Sequence, residues 1–267
     1  MNILFVTHAL NGLLMIAMPM ALALILTRRW KMGWSLWWIG AATFVLSQVG
    51  HIPFNWVIGL ALERLNTVYW PLIGQQLLNA VFLGLSAGLW EEGARYLVLR
   101  FWAKKARSWQ AGVLFGAGHG GAEAILLGLL VLVTYASMLV VRSLDLSAVV
   151  PAARLQLAQQ QVTAYWSMPW YDSLLGALER VFAMTCQIFM AVLVMQVFLR
   201  RNIAWLFAAI GFHALIDATA VLGMHYLGAY WTEALVAVYA AASLILTLRL
   251  RRSKPESPVG EMAGDPE

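Results

Sequence analysis

Glu91 and Glu92 stand side by side in the run 76–101, which is apolar enough to span a bilayer, and Arg95 follows within the same run. An ionised side chain at that depth is costly, so a chain that keeps three of them is using them. Two later apolar runs each place a histidine and a carboxylate four residues apart, His119 with Glu123 and His213 with Asp217. Residues at that spacing share a helix face, so each pair points one way. Two such helices are able to hold a divalent metal. A catalytic zinc takes three protein ligands and keeps the fourth position for water. His119 and His213 supply two ligands; Asp217 is the first choice for the third and Glu123 the next, with the remaining carboxylate orienting an imidazole from behind. Glu91 or Glu92 then has the role of base, taking a proton from water and returning it to a leaving amine. Adjacent helix positions diverge by about 100°. One glutamate therefore faces the metal, Glu91 being favoured, and the other pairs with Arg95.

The elements that must position these groups are membrane helices. The chain of 267 residues is 61% hydrophobic and 12% charged, far from a soluble average. Seven runs are long enough to cross a bilayer, near 3–27, 34–60, 75–101, 109–141, 173–199, 203–223 and 229–250. Uninterrupted apolar runs argue for helices, since strands would alternate. The expected architecture is all-α, a single polytopic bundle over residues 1–252, with a Pro-, Gly- and Glu-rich tail at 253–267 that reads as disordered and cytoplasmic. Of 18 Lys and Arg, 13 fall on one side of a seven-span arrangement: Arg28, Arg29, Lys31, Arg100, Lys104, Lys105, Arg107, Arg200, Arg201, Arg249, Arg251, Arg252 and Lys254. The positive-inside rule then puts the N-terminus outside and the C-terminus in the cytoplasm. Charge confined to short loops speaks for topology and against nucleic-acid binding. The first run reads as a retained span rather than a removed signal peptide. The expected setting is a lipid bilayer, in the bacterial inner (plasma) membrane; nothing in the sequence sets an oligomeric state.

Depth ties the polar groups together. Glu91 lies nine residues before Arg100, His119 twelve after Arg107, and His213 twelve after Arg201. At about 1.5 Å per helical residue, all three sit roughly 14–18 Å from the basic boundary. Gly116, Gly118, Gly120 and Gly121 around His119 suit close helix packing. The stretch 151–163 reads as an interfacial helix followed by aromatic anchors Trp166, Trp170 and Tyr171. Trp30, Trp34, Trp37, Trp38, Trp102 and Trp109 read as an interfacial belt. His8 and His51 read as packing or kink residues, His225 as a solvated loop residue, and Cys186 as a buried inert thiol. Other chemistries fit badly: there is no HExxH, no second aspartate inside a span, no partner for Cys186 at its depth, and no repeated broken helices of the transporter kind.

The run Glu91-Glu92-Gly93-Ala94-Arg95 resembles the EExxR signature of the CPBP intramembrane metalloproteases, the group that includes the CAAX prenyl endopeptidases. Phe115–His119 resembles their FxxxH motif, and His213–Asp217 their HxxxN/D motif. With His119–Glu123 (HGGAE) and Glu179-Arg180, the pattern is most similar to the YhfC-type membrane peptidases; PrsW-type proteases and the Aph-type subunit of gamma-secretase are more distant. The resemblance implies a zinc-dependent peptidase acting on a membrane-embedded or membrane-docked protein or peptide, with Glu91 or Glu92 as base and His119, His213 and Asp217 on the metal. The Aph-type likeness implies the alternative, a non-catalytic scaffold in a larger membrane assembly. Two positions depart from the pattern. Gln187 stands where YhfC-like chains tend to carry a histidine, and Glu123 has no counterpart in the CAAX proteases.

Overall fold

The computed structural model describes residues 3–64 and 67–252; the tail at 253–267 lies outside them. Among the described residues the elements are helices: α1 (Ile3–Trp30), α2 (Ser35–Arg64), α3 (Leu72–Phe101), α4 (Trp109–Arg142), α5 (Leu146–Val149), α6 (Ala152–Ser167), α7 (Leu175–Leu199), α8 (Ala204–Tyr226) and α9 (Ala229–Arg252), with single 3-10 turns before α3 and α7. Seven helices are long and apolar enough to cross a membrane, and they match the seven runs expected from the sequence. Their outward faces are apolar, as at Ile25, Val49, Phe207 and Val238, which suits lipid and not water.

Two helices organise the packing. α4 lies against α1, α2 and α7, and α7 lies against α8 and α9. α7 is the most enclosed span, with 67% of its apolar window buried against 6% for α2. α3 packs along α8 and is flanked by α2. This brings α3, which carries the glutamates, between the two helices that carry the histidines.

Glycine sets how closely these helices approach. A Cβ at Gly40 would run into the Phe115 carbonyl oxygen, and one at Gly118 into that of Trp37, so α2 and α4 touch backbone to backbone. On the other side of the site, a Cβ at Gly88 would stand 2.7 Å from the Ile210 carbonyl oxygen. Without an apolar driving force between helices in lipid, such close approach is a main source of association. Trp37 is drawn into this crossing: it is 1% exposed, so it belongs to the core and not to the interfacial belt. Its carbonyl meets Gly118 and its ring meets Gly121, which leaves no room for an indole at the surface.

The starts of α4 and α7 are capped by side chains. Ser108 caps α4, accepting from the Ala111 amide at 3.1 Å. Asn11 of α1 caps α7, accepting from the Ala177 amide at 2.7 Å. α6 runs four residues past the expected 163 and has no buried residue. It is fastened to α1 at its end, with the His8 ring stacked on Tyr165 at 4.0 Å and Phe5 against Trp166 at 4.9 Å. His225 is not in a loop; it sits in the last turn of α8 and pairs with Gln76 of α3.

The glycine contacts predict a contrast. Gly118→Ala should lower stability by about 1–3 kcal/mol through overpacking. Gly59→Ala, where a Cβ meets nothing within 4 Å, should be neutral or stabilise by up to ~1 kcal/mol. Thermal unfolding of the detergent-solubilised protein measures both.

Candidate metal and catalytic centre

The polar residues meet where α2, α3, α4, α7 and α8 converge. Glu92 pairs with Arg95 as expected, at 2.9 Å, but it also reaches a histidine of its own. The turn between adjacent positions sends each to a different histidine. Glu91 Oε2 lies 3.0 Å from His119 Nε2 on α4, and Glu92 Oε1 lies 2.8 Å from His213 Nδ1 on α8. α3 sits between those helices, so the 100° divergence points one carboxylate at each.

Arg95 serves both glutamates. Its guanidinium is fully buried, 2.9 Å from Glu92 Oε1 and 3.7 Å from Glu91 Oε2. It also donates to the Gln187 side-chain oxygen and to the Gln187 carbonyl on α7. Gln187 then donates to Glu123 Oε2 at 2.8 Å, and Glu123 Oε1 accepts from Arg180 at 2.6 Å. Arg180 also pairs with Glu179. Both oxygens of Glu123 are thus engaged by α7, away from the histidines. Gln187, at the position where a histidine was noted as usual, works as an amide bridge between Arg95 and Glu123.

Tautomers follow from these partners. An ionised carboxylate only accepts, so the nitrogen facing it carries the proton. His119 then donates from Nε2, and its Nδ1 is left buried with no hydrogen-bond partner. His213 donates from Nδ1, and its Nε2 faces Asp217 Oδ2 at 3.6 Å. A ring lone pair and a carboxylate oxygen repel unless a cation, a proton or a metal, stands between them. Phe44 steadies the His119 ring edge-on, with centroids 5.3 Å apart.

Among the described residues, no three His, Cys, Asp or Glu side chains are grouped as a ready metal cage. The donors instead lie paired, carboxylate on imidazole. Their chemistry nevertheless fits a divalent cation. Two imidazole lone pairs are uncommitted, at His119 Nδ1 and His213 Nε2. Two carboxylates, Glu91 and Glu92, are buried against one Arg95, and the partly exposed Asp217 brings a third close by. Buried charge of one sign calls for a counter-charge, and bound cations are a usual source.

Sequence reasoning missed Gln48 and underrated His51. Gln48 of α2 donates to Glu91 Oε1 at 3.0 Å, and His51 Nδ1 lies 3.3 Å from Gln48 Oε1. The signal was present: Gln48, His51 and Asn55 recur at helical spacing along one face of an otherwise apolar span.

The chain matches the family described as YhfC intramembrane metalloprotease over residues 14–240. It is 30% identical over 257 residues to the uncharacterized membrane protein YhfC of Bacillus subtilis (strain 168), an alignment covering 91% of this chain and 95% of the relative. No solved structure matches.

The ion network predicts unequal costs. Arg95→Met leaves Glu92 buried without its cationic partner, with His213 as its remaining one, and should destabilise by about 3–5 kcal/mol. Glu179→Gln removes only a half-exposed partner of Arg180 and should change stability by less than about 1 kcal/mol. Unfolding in mixed micelles compares the two.

Proposed function

From the premise that this chain belongs to the YhfC intramembrane metalloprotease family, we propose that it is a zinc-dependent peptidase that hydrolyses a peptide bond of a membrane-embedded or membrane-docked protein. One observation carries the reading: His213 is held at Nδ1 by Glu92 while its Nε2 faces Asp217 across a 3.6 Å gap, an arrangement that suits a cation held from both sides. A carboxylate behind a histidine fixes its tautomer and raises its strength as a ligand.

His119, His213 and Asp217 would hold the metal, which supplies Lewis-acid polarisation of the scissile carbonyl and of the attacking water. Glu123 is an alternative third ligand by residue type, but its bonds to Arg180 and Gln187 favour Asp217. Glu91 is the base. Its carboxylate takes the proton of the attacking water and hands it to the amine that leaves as the C–N bond breaks. Gln48 and Arg95 hold that carboxylate in place. Glu92 is the orienting partner of His213 rather than a second base. The basic residues favour a cytoplasmic C-terminus. The site then lies in the cytoplasmic half of the membrane, and the bacterial relative favours the plasma membrane as its location.

A second reading has an observation of its own. Every carboxylate of Glu91, Glu92 and Glu123 already has a polar partner within the bundle, as a purely structural ion network would. That is the scaffold alternative, and one experiment separates the two. Purified protein in lipid discs should contain close to one zinc per chain by elemental analysis, lost in His119→Ala and in His213→Ala. Glu91→Gln should keep zinc and melting temperature while cleavage of reconstituted single-span peptides falls about a hundredfold or more. Wild type without bound metal, or a Glu91→Gln variant that unfolds, would establish the scaffold reading.

A further inference from the structure

α2 is the least buried span, yet it carries three half-buried amide or imidazole side chains on the side that meets α3, and they form a chain that ends on Glu91. Gln48 donates to Glu91 Oε1 at 3.0 Å. His51 Nδ1 lies 3.3 Å from Gln48 Oε1. His51 Nε2 lies 2.9 Å from Asn55 Nδ2 and 3.2 Å from the Ser86 hydroxyl of α3. In hydrocarbon each of these groups costs free energy unless it is paired, and here each side chain is paired to the next, with Asn55 Oδ1 left buried without a partner.

The chain has a direction. An ionised Glu91 accepts only, so Gln48 must turn its NH2 toward it and its oxygen toward His51. That oxygen accepts only, so His51 must carry its proton on Nδ1. His51 Nε2 is then the acceptor for Asn55, while the Ser86 hydroxyl beside it gives its proton to the Leu83 carbonyl. The order of donors is set by the carboxylate and read outward for three residues. Glu91 is accordingly gripped from two sides, Oε1 by Gln48 of α2 and Oε2 by His119 of α4.

We propose that Gln48 and His51 are positioning residues for Glu91: Gln48 holds the Oε1 side of the carboxylate, and His51 fixes the orientation of the Gln48 amide by donating from Nδ1. Their part in a reaction rests on Glu91 acting as the base described above. Neither residue touches the reacting atoms, and His51 acts as a donor and not as an acid or base. Without Gln48 the Oε1 side of the carboxylate loses its hydrogen bond, and its rotation is held from the Oε2 side by His119 and Arg95. The misplacement this allows costs about 10- to 100-fold in turnover.

The test has one arm that needs no substrate. Full-length protein carrying 15N-histidine is reconstituted in lipid, and the His51 signal is identified, among five histidines, as the one absent from His51→Gln. The expected state is a neutral ring protonated on Nδ1. In Gln48→Leu the proton should shift to Nε2, the form imidazole prefers in water. A wild-type His51 protonated on Nε2, or an Nδ1 form that persists in Gln48→Leu, overturns the proposal.

The second arm uses the reconstituted single-span peptides. Gln48→Leu and His51→Leu should lower kcat about 10- to 100-fold with KM and zinc content held. His51→Gln, whose amide still donates, should stay close to wild type. A His51→Gln variant as impaired as His51→Leu overturns the donor role. Absence of cleavage by the wild type, with the Nδ1 signal as expected, overturns the peptidase reading while upholding the hydrogen-bonded arm.

Discussion

The Glu92–Arg95 ion pair is the constraint on which the rest of the centre depends. Both side chains are fully buried, in a medium where an unpaired charge is intolerable. Neither is able to reach water, so the bundle has to bring every compensating group to them: His213 to Glu92, Gln187 to Arg95, and through Gln187 the Glu123–Arg180 pair. Once Arg95 is tied to α7 and Glu92 to α8, α3 has no freedom to rotate. Glu91, one position earlier, is then forced toward α4 and α2.

Close backbone contact makes this geometry reachable. A glutamate side chain is short, and it bridges to a histidine on the next helix only if the two axes are near. Gly84 and Gly88 allow that for α3 and α8, while Gly40 and Gly118 draw α2, whose Gln48 grips Glu91, against α4. The small residues and the charged ones are two parts of one arrangement: the glycines shorten the distances, and the ion pairs penalise any drift. An apolar cluster around Phe115, Leu99 and Phe189 packs toward the basic end.

Much of this was legible in the residues. Seven spans follow from apolar length alone, and counting inward from the basic residues put Glu91, His119 and His213 at one depth, where the structure finds them in a single network. Depth along a helix is a one-dimensional quantity that a sequence carries. Azimuth is harder. That Glu92 also reaches His213 depends on the rotation of α3, which packing decides, while the rule of about 100° per residue points only to the pairing with Arg95 that the structure also holds. Glu123 turns to α7 because Arg180 and Gln187 lie there, partners named by no local spacing. Trp37 was misplaced for a related reason: an indole near a span end looks the same in sequence whether it faces headgroups or a glycine-lined crossing. The amides and His51 of α2 lacked a motif, and amides carry no charge to draw attention in an apolar span.

The Asn11 cap on α7 has a bearing on how the protein is made. The first turn of α7 has a bare amide at Ala177, and the side chain that satisfies it comes from α1, 166 residues earlier in the chain. During synthesis α1 therefore precedes by far the helix whose start it completes. The most enclosed span of the bundle is finished by its oldest, so the core of the centre closes only as a late event, after the chain has folded back upon its own beginning.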